Sequence, residues 1–134
     1  MPTSSELANR RCVPCGGGAT ALTPKQVAEL LGAVTGWLPT ADGKRLRREW
    51  RVLDFATALD FFQRILPIAE EEDHHPDLHV TGYRNVVIEI WTHAVGALTE
   101  NDFILAAKID ALPVATEGLA LQRRSRDIQY TQRQ

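Results

Sequence analysis

The stretch DFATALDFFQRILPIAEEEDHHP, residues 54–76, decides the fold of this 134-residue chain. Its apolar side chains recur three or four positions apart, which is the period of a helix with one buried face. Asp54 is a suitable cap for the first turn, and Pro67 predicts a kink because proline removes one backbone hydrogen bond. We expect the helix to cover one face of a sheet with this apolar stripe: Phe55, Ala58, Leu59, Phe62, Ile65 and Ala69.

Shorter elements flank this helix on both sides. Thr23-Pro24 followed by Gln26 predicts the start of an earlier helix, since these residues supply a cap, a fixed φ and a capping box. A last helix is predicted over residues 99–112. Short apolar runs predict four strands, at 37–39, 46–52, 78–83 and 85–91. The order indicates an α+β domain: a four-stranded antiparallel sheet with three helices packed on one face.

The ends of the chain lack this periodicity. We expect residues 1–20 to be an irregular N-terminal arm, residues 21–113 to be the folded domain, and residues 114–134 to be a polar, basic C-terminal tail. The net charge of −2 does not call for a nucleic-acid partner, and no apolar run approaches the roughly 20 residues that span a membrane. No secretory signal is visible and only two cysteines are present, so we expect a cytoplasmic protein.

Histidine is the most informative residue type in the chain, because all four copies fall between residues 74 and 93. Its unperturbed pKa lies nearest neutrality, so histidine is the usual carrier of protons in enzymes. His74 and His75 follow the acidic run 70–73, whose carboxylates would stabilise a protonated ring. Proline at 76 favours extended backbone, so the two rings should point to opposite sides. A solvated acidic helix end with two surface histidines is the alternative interpretation.

His93 and Asp102 complete the candidate site. His93 follows a strand, at the start of a loop, where catalytic groups are common. Asp102 has the position of a capping residue for the last helix, so it could serve the backbone alone. The spacing of the histidines does not fit a helical zinc motif, and Cys12-x-x-Cys15 is only half of a structural metal site or a redox pair. We therefore expect no metal and treat His79 as peripheral.

Seven spaced residues resemble the signature of the pterin-4a-carbinolamine dehydratases, also called 4a-hydroxytetrahydrobiopterin dehydratases. Longer strings resemble the plant-type branch of that family, which has bacterial members: CVPC, LRREW, HHPDLHVTGYRNV and IEIWTHAVGALTENDFILAAKI. The likeness covers about residues 22–112. The signature residues are Glu70, His74, His75, Pro76, Tyr83, His93 and Asp102.

The resemblance implies dehydration of 4a-hydroxytetrahydropterin to quinonoid dihydropterin, which recycles pterin for aromatic amino-acid hydroxylation without any cofactor. It implies that His74 and His93 form the acid/base pair and that His75 chiefly binds substrate. Glu70 and Asp73 would bind the pterin or tune the histidines, and Asp102 would orient His93 or cap its helix. The family assembles as homodimers or homotetramers, so we expect the same here.

Two features of the resemblance leave the function open. Animal members have an aromatic residue where this chain has Leu78, and an acidic residue where it has Ala94, which predicts an altered rim of the pocket. Relatives in the plant-type branch act in Rubisco assembly, which gives an alternative role as a non-enzymatic assembly partner. Relatives specialised for assembly tend to lose the histidine pair that this chain keeps, which favours the enzyme.

Overall fold

The computed structural model describes residues 2–14 and 18–116. This part of the chain forms four helices and four strands, which confirms the predicted α+β class. In chain order they are α1 (Ser4–Ala8), α2 (Pro24–Leu31), β1 (Leu38–Pro39), β2 (Leu46–Arg51), α3 (Phe55–Glu72), β3 (Asp77–Thr81), β4 (Asn85–Ile90) and α4 (Glu100–Asp110).

The sheet has the strand order β1-β2-β4-β3, and every neighbouring pair is antiparallel. Its two central strands, β2 and β4, pair from Leu46 opposite Ile90 to Arg51 opposite Asn85. Alternate residues of these strands are buried, as the period of two requires. The helices cover this buried face, and the other face carries ion-paired side chains such as Arg47 and Glu89.

Helix α3 begins after the predicted cap, since the Asp54 carboxylate accepts a hydrogen bond from the Thr57 N–H at 2.8 Å. The helix continues through Pro67, and the kink stays a prediction. The predicted stripe is confirmed for Ala58, Ile65 and Ala69. It is wrong for Phe55 and Leu59, which are exposed, whereas the unassigned Phe61 is fully buried. Because α3 carries apolar residues on two of its sides, their spacing alone could not show which side is buried. The observed buried set is Ala58, Phe61, Ile65, Ala69 and Glu72.

The N-terminal arm was predicted to be irregular, and this is wrong for α1. Leu7 is fully buried against α4, where the Lys108 Nζ donates to the Ala8 carbonyl at 2.7 Å. Asn101 contacts the backbone of Val13 through both its amide oxygen and its amide nitrogen, at 3.0 and 2.8 Å. These contacts are tertiary, so they leave no periodic signal in the sequence of the arm.

The predicted C-terminal tail lies mostly outside the described residues. Its first residues run beside the end of β2, where the Leu53 N–H donates to the Ala115 carbonyl at 2.9 Å and Val52 forms a bridge with Thr116. Residues 15–17, which include Cys15, and residues 117–134 are not described. The division into arm, domain and tail therefore stays a prediction.

Candidate active site

The backbone at the end of α3 directs the histidine pair. The His74 N–H donates to the Ala69 carbonyl at 3.1 Å and the Asp73 N–H to the Glu70 carbonyl at 3.3 Å, the two bonds of a Schellman motif. Asp73 takes the left-handed conformation that this motif requires, with φ of 50°. The turn carries His74 into the protein, where it is 4% exposed, while His75 stays at the surface.

His74 is paired with Asp102 in the interior. The His74 Nε2 lies 2.7 Å from the Asp102 Oδ1, and the Asp102 side chain is fully buried. The Asp102 Oδ2 accepts hydrogen bonds from the Thr92 hydroxyl at 3.0 Å and from the Thr99 N–H at 2.8 Å. This buried contact holds the His74 imidazole in one orientation.

Asp102 has two roles in the structure. It caps the N-terminus of α4, as the capping pattern predicted. The other alternative, that Asp102 orients His93, is not what the structure shows, because the carboxylate contacts His74 at 2.7 Å. Thr92, which precedes His93 in the chain, donates a hydrogen bond to the Asp102 carboxylate.

The acidic run at the end of α3 is divided among separate tasks. The Glu70 Oε2 lies 2.7 Å from the His75 Nε2, and both side chains are exposed. Glu72 faces inward and accepts a hydrogen bond from the Cys12 N–H at 2.7 Å. The alternative interpretation of a wholly solvated acidic end is therefore wrong for Glu72, which ties the N-terminal segment to α3.

Cys12 is held in an environment that disfavours its thiolate. Burial, and secondly the negative charge of Glu72, raise the pKa of the Cys12 thiol to about 12. Its sulfur lies 3.7 Å from the Asn101 carbonyl oxygen. Reactive cysteines have lowered pKa values, so Cys12 has the properties of a structural residue.

His93 is held differently from the other two histidines. It is exposed on the loop after β4, and its ring lies on the indole of Trp91, with ring centroids 4.2 Å apart and an interplanar angle of 37°. The Arg45 guanidinium lies 4.3 Å from the centroid of the same indole. The sequence analysis did not select Trp91 as a site residue, although residues 91 and 93 follow the two-residue period of one strand face.

His74, His75 and His93 meet at one cleft of about 240 Å³. This volume is slightly below the roughly 300–1,000 Å³ of pockets that bury drug-sized ligands, so it suits a small ligand. The predicted Glu70 and Asp102 lie behind His75 and His74 and do not line the cleft. Its lining residues are Asp73, His74, His75, Trp91, His93 and Ala94.

Other selected residues lie elsewhere. His79 is exposed on β3, as expected for a peripheral residue. Tyr83, a member of the spaced signature, lies on the β3–β4 turn with φ of 58°. In residues 2–14 and 18–116, no three His, Cys, Asp or Glu side chains are grouped so that they could hold a metal ion. No helix in the same described ranges is long and apolar enough to cross a membrane.

The fold and the cleft define a small α+β protein whose candidate site gathers three histidines at the end of a helix and the end of a strand. A profile of the family described as "Pterin 4 alpha carbinolamine dehydratase" matches residues 20–112. The chain belongs to this family, as its spaced residues had indicated.

Individual relatives agree with this assignment. The chain is 53% identical over 113 residues to "Pterin-4-alpha-carbinolamine dehydratase 2, mitochondrial" from Arabidopsis thaliana, covering 82% of this chain and 60% of that protein. It thus spans less than two thirds of the length of the plant relative. A similarly named protein from Rubrobacter xylanophilus is 43% identical over 108 residues, which covers 81% of this chain and 99% of the relative.

A solved structure resembles the fold. It is the "transcriptional coactivator/pterin dehydratase" from Brucella melitensis, with a TM-score of 0.65 and 32% sequence identity. The match covers 69% of this chain and 97% of the Brucella chain. The α+β architecture around the candidate site is therefore shared with a solved member of the family.

Proposed function

We propose that this chain is a hydro-lyase that removes water from 4a-hydroxytetrahydropterin to give quinonoid dihydropterin. The observation that carries the proposal is the meeting of His74, His75 and His93 at one cleft, in a chain of the pterin dehydratase family. The sequence separates His75 from His93 by a whole hairpin, so the fold has to bring them together. A shared cleft is what a reaction with two proton transfers requires.

The reaction needs an acid and a base. The bond between C4a and the hydroxyl oxygen breaks as a general acid protonates the leaving hydroxyl. A general base removes the proton from N5, and the electron pair of the N–H bond forms the double bond between N5 and C4a. The products are quinonoid dihydropterin and water, so no oxidant or cofactor is needed. We assign the two proton transfers to His74 and His93.

Asp102 supports the assignment of His74. Since the His74 Nε2 is bound to the buried carboxylate, the ring cannot rotate freely in the cleft. Thr92 and Thr99 hold the carboxylate in turn, at 3.0 and 2.8 Å. Rigid support of this kind keeps a catalytic side chain close to its productive geometry. We propose that Asp102 acts through His74 and does not touch the pterin.

The remaining site residues would bind the substrate. His75 lies at the open side of the cleft with Glu70 holding its ring at 2.7 Å. Asp73 lines the cleft and presents a carboxylate, which accepts hydrogen bonds from N–H groups such as those of a pterin ring. Ala94 also lines the cleft, at the position where the family resemblance predicted an altered rim.

A homo-oligomer is part of the proposal. Phe55, Leu59 and Leu66 are exposed by 43–53% and recur on one side of α3, next to its buried stripe. Exposed apolar stripes of this kind commonly mark protein interfaces. A second copy of the chain is the occupant that the family resemblance implies, and light scattering of wild type and Leu66→Glu would test it: the variant should have the lower mass.

The proposal also covers the cellular location of the chain and the process that its reaction serves. We propose that it works in the cytoplasm and recycles pterin after aromatic amino-acid hydroxylation. The Rubisco assembly alternative is supported only by the likeness to the plant-type branch, and retention of both His74 and His75 favours the enzyme. Cell fractionation and a pull-down of Rubisco subunits would test location and alternative role.

The proposal is tested by following the decay of 4a-hydroxytetrahydropterin, generated in place by an aromatic amino-acid hydroxylase. We expect the wild-type chain to accelerate the decay, and His74→Ala and His93→Ala to lower the rate by about 10²- to 10⁴-fold. His79→Ala is the matched control, because His79 is exposed on β3 and lies outside the cleft. Decay at the uncatalysed rate with wild-type protein would contradict the proposal.

A further inference from the structure

The three histidines of the cleft differ in the contact that fixes each ring. His74 contacts the buried carboxylate of Asp102, and His75 contacts the exposed carboxylate of Glu70. His93 has no carboxylate contact within residues 2–14 and 18–116. Its ring contact is with Trp91, whose centroid lies 4.2 Å away. An aromatic surface therefore takes the place that a carboxylate has at the other two rings.

Trp91 is itself held by a charged network. The Arg45 guanidinium lies 4.3 Å from the indole centroid, within the range of a cation–π contact. Two carboxylates fix the guanidinium, Glu89 at 2.9 Å and Asp77 at 3.6 Å. Asp77 and Glu89 are register partners on β3 and β4, so the network is anchored to two paired strands.

The indole is connected to its surroundings mainly by its ring. The Trp91 Nε1 is buried and has no hydrogen-bond partner among the described residues. The contacts that define this side chain are those of its flat ring, with the Arg45 guanidinium at 4.3 Å and the His93 ring at 4.2 Å from its centroid.

We infer that Trp91, held by Arg45, is the positioning residue for the His93 ring in the cleft. The inference rests on the proposed function for its effect on catalysis, since it assigns a support to one member of the acid/base pair. An exposed imidazole on a loop would otherwise sample several rotamers. Displacing a reacting group by about 1 Å can lower a rate about 10²-fold, so a surface that restricts the ring has a measurable effect.

The first test is independent of activity. A proton lying over an indole experiences a ring-current shift, so the His93 ring protons should be shifted upfield in NMR spectra of the full chain. Trp91→Leu should remove this shift, and Trp91→Phe should retain part of it. His93 resonances that do not move in Trp91→Leu would overturn the inference.

The second test is kinetic. We expect Trp91→Leu to lower kcat by about tenfold or more with KM changed less than about twofold, and Trp91→Phe to recover most of the loss. Arg45→Gln should give a smaller decrease of the same kind. Arg47→Gln is the matched control, because Arg47 also contacts Glu89, at 3.3 Å, but has no ring contact with Trp91.

The outcomes separate the inference from the proposed function. An active wild type with unchanged kcat in Trp91→Leu would overturn the inference and leave the proposed function intact. An inactive wild type that still shows the ring-current shift and its loss in Trp91→Leu would refute the proposed function, while the support of His93 by Trp91 would stand. Equal losses of kcat in Arg45→Gln and Arg47→Gln would refute the specific role of Arg45.

Discussion

His74 and His93 reach the same cleft, but one is held inside the protein and the other at its surface. His74 is 4% exposed and bonded to a carboxylate that two further groups support. His93 is exposed and contacts the face of an indole. A buried, hydrogen-bonded ring is held strongly, and removing its partner lowers the free energy of unfolding because a buried polar group is left unpaired. A ring stacked at the surface is held weakly, and substituting its neighbour should change stability little.

The site therefore has a buried half, formed by His74, Asp102, Thr92 and Thr99, and an exposed half, formed by His75, Glu70, His93 and Trp91. Substitutions in the two halves should affect stability to different extents. In the buried half the same contacts cap α4, bind the loop before His93 and orient His74, so any change there affects the fold as well. In the exposed half, Glu70, His75 and Trp91 contribute little to the core. Substitutions in the exposed half should therefore report on binding and chemistry more cleanly.

The largest effect is expected for Asp102→Asn, which breaks the buried half. The amide would direct an N–H toward the His74 Nε2 or leave one of its partners without an acceptor. We expect kcat to fall by about 10²- to 10³-fold, and by no more than in His74→Ala, because Asp102 acts through that ring. The free energy of unfolding should fall by about 1–3 kcal/mol, measured by urea denaturation.

Asp110→Asn is the control for this substitution. Asp110 is also a carboxylate on α4, bonded to Arg48 and Trp37 at 2.8 and 2.9 Å, but it lies outside the cleft. It should lower stability with kcat within about twofold of wild type. If Asp102→Asn and Asp110→Asn reduced kcat equally, the special role of the His74–Asp102 pair would be wrong.

A second prediction concerns the reactivity of Cys12, whose sulfur contacts the Asn101 carbonyl of α4 beside the buried half. The pKa of its thiol is raised from 9.0 to about 12, so at pH 8 the folded protein holds about a thousandfold less thiolate than the unfolded chain. Iodoacetamide should therefore alkylate Cys12 about a thousandfold more slowly in native Cys15→Ser protein than in the same protein unfolded in urea. Similar rates in both states would show that Cys12 is not shielded.

Asp73 lies where the two halves meet, and its substitutions should separate backbone from side chain. Its φ of 50° suits glycine, and a side chain such as alanine is strained there by roughly 1–2 kcal/mol. Asp73→Gly should therefore be about 1 kcal/mol more stable than Asp73→Ala in urea denaturation. Both variants lack the carboxylate, so both should raise KM to a similar extent. A KM that changes in only one of them would contradict a direct contact of Asp73 with substrate.

The smallest effect is expected for Glu70→Gln in the exposed half. Exposed ion pairs contribute about 0–1 kcal/mol, so the melting temperature should change little. KM should rise a few-fold because His75 loses the group that holds its ring. A loss of stability as large as that of Asp102→Asn would remove the distinction between the two halves.

The sequence predicted most of the fold because the elements of the domain have strong local signals. The caps at Thr23 and Asp54 and the alternation in β4 are local patterns, and all three are present. The helix α1 was missed because its stability comes from Leu7 and from side chains on α4. Phe61 was missed because α3 is apolar on two sides, and a period cannot tell which side the sheet covers.

The sequence predicted which residues line the site better than it predicted which side chains contact each other. His74, His75, His93 and Asp73 were selected and line one cleft. The partner of Asp102 could not be read from the sequence, because His74 lies 28 residues away from it and the contact depends on the turn at Asp73. The inferred role of Trp91 likewise could not be read from the sequence, because Arg45, which contacts its ring, lies in the β1–β2 connection far away along the chain.

The most direct test of the account compares His74→Ala with His75→Ala in steady-state kinetics of pterin dehydration. The account predicts that His74→Ala lowers kcat by about 10²-fold or more, whereas His75→Ala chiefly raises KM. Circular dichroism would establish that both variants are folded. A His74→Ala protein with wild-type kcat would contradict the claim that the buried histidine carries out the proton transfer.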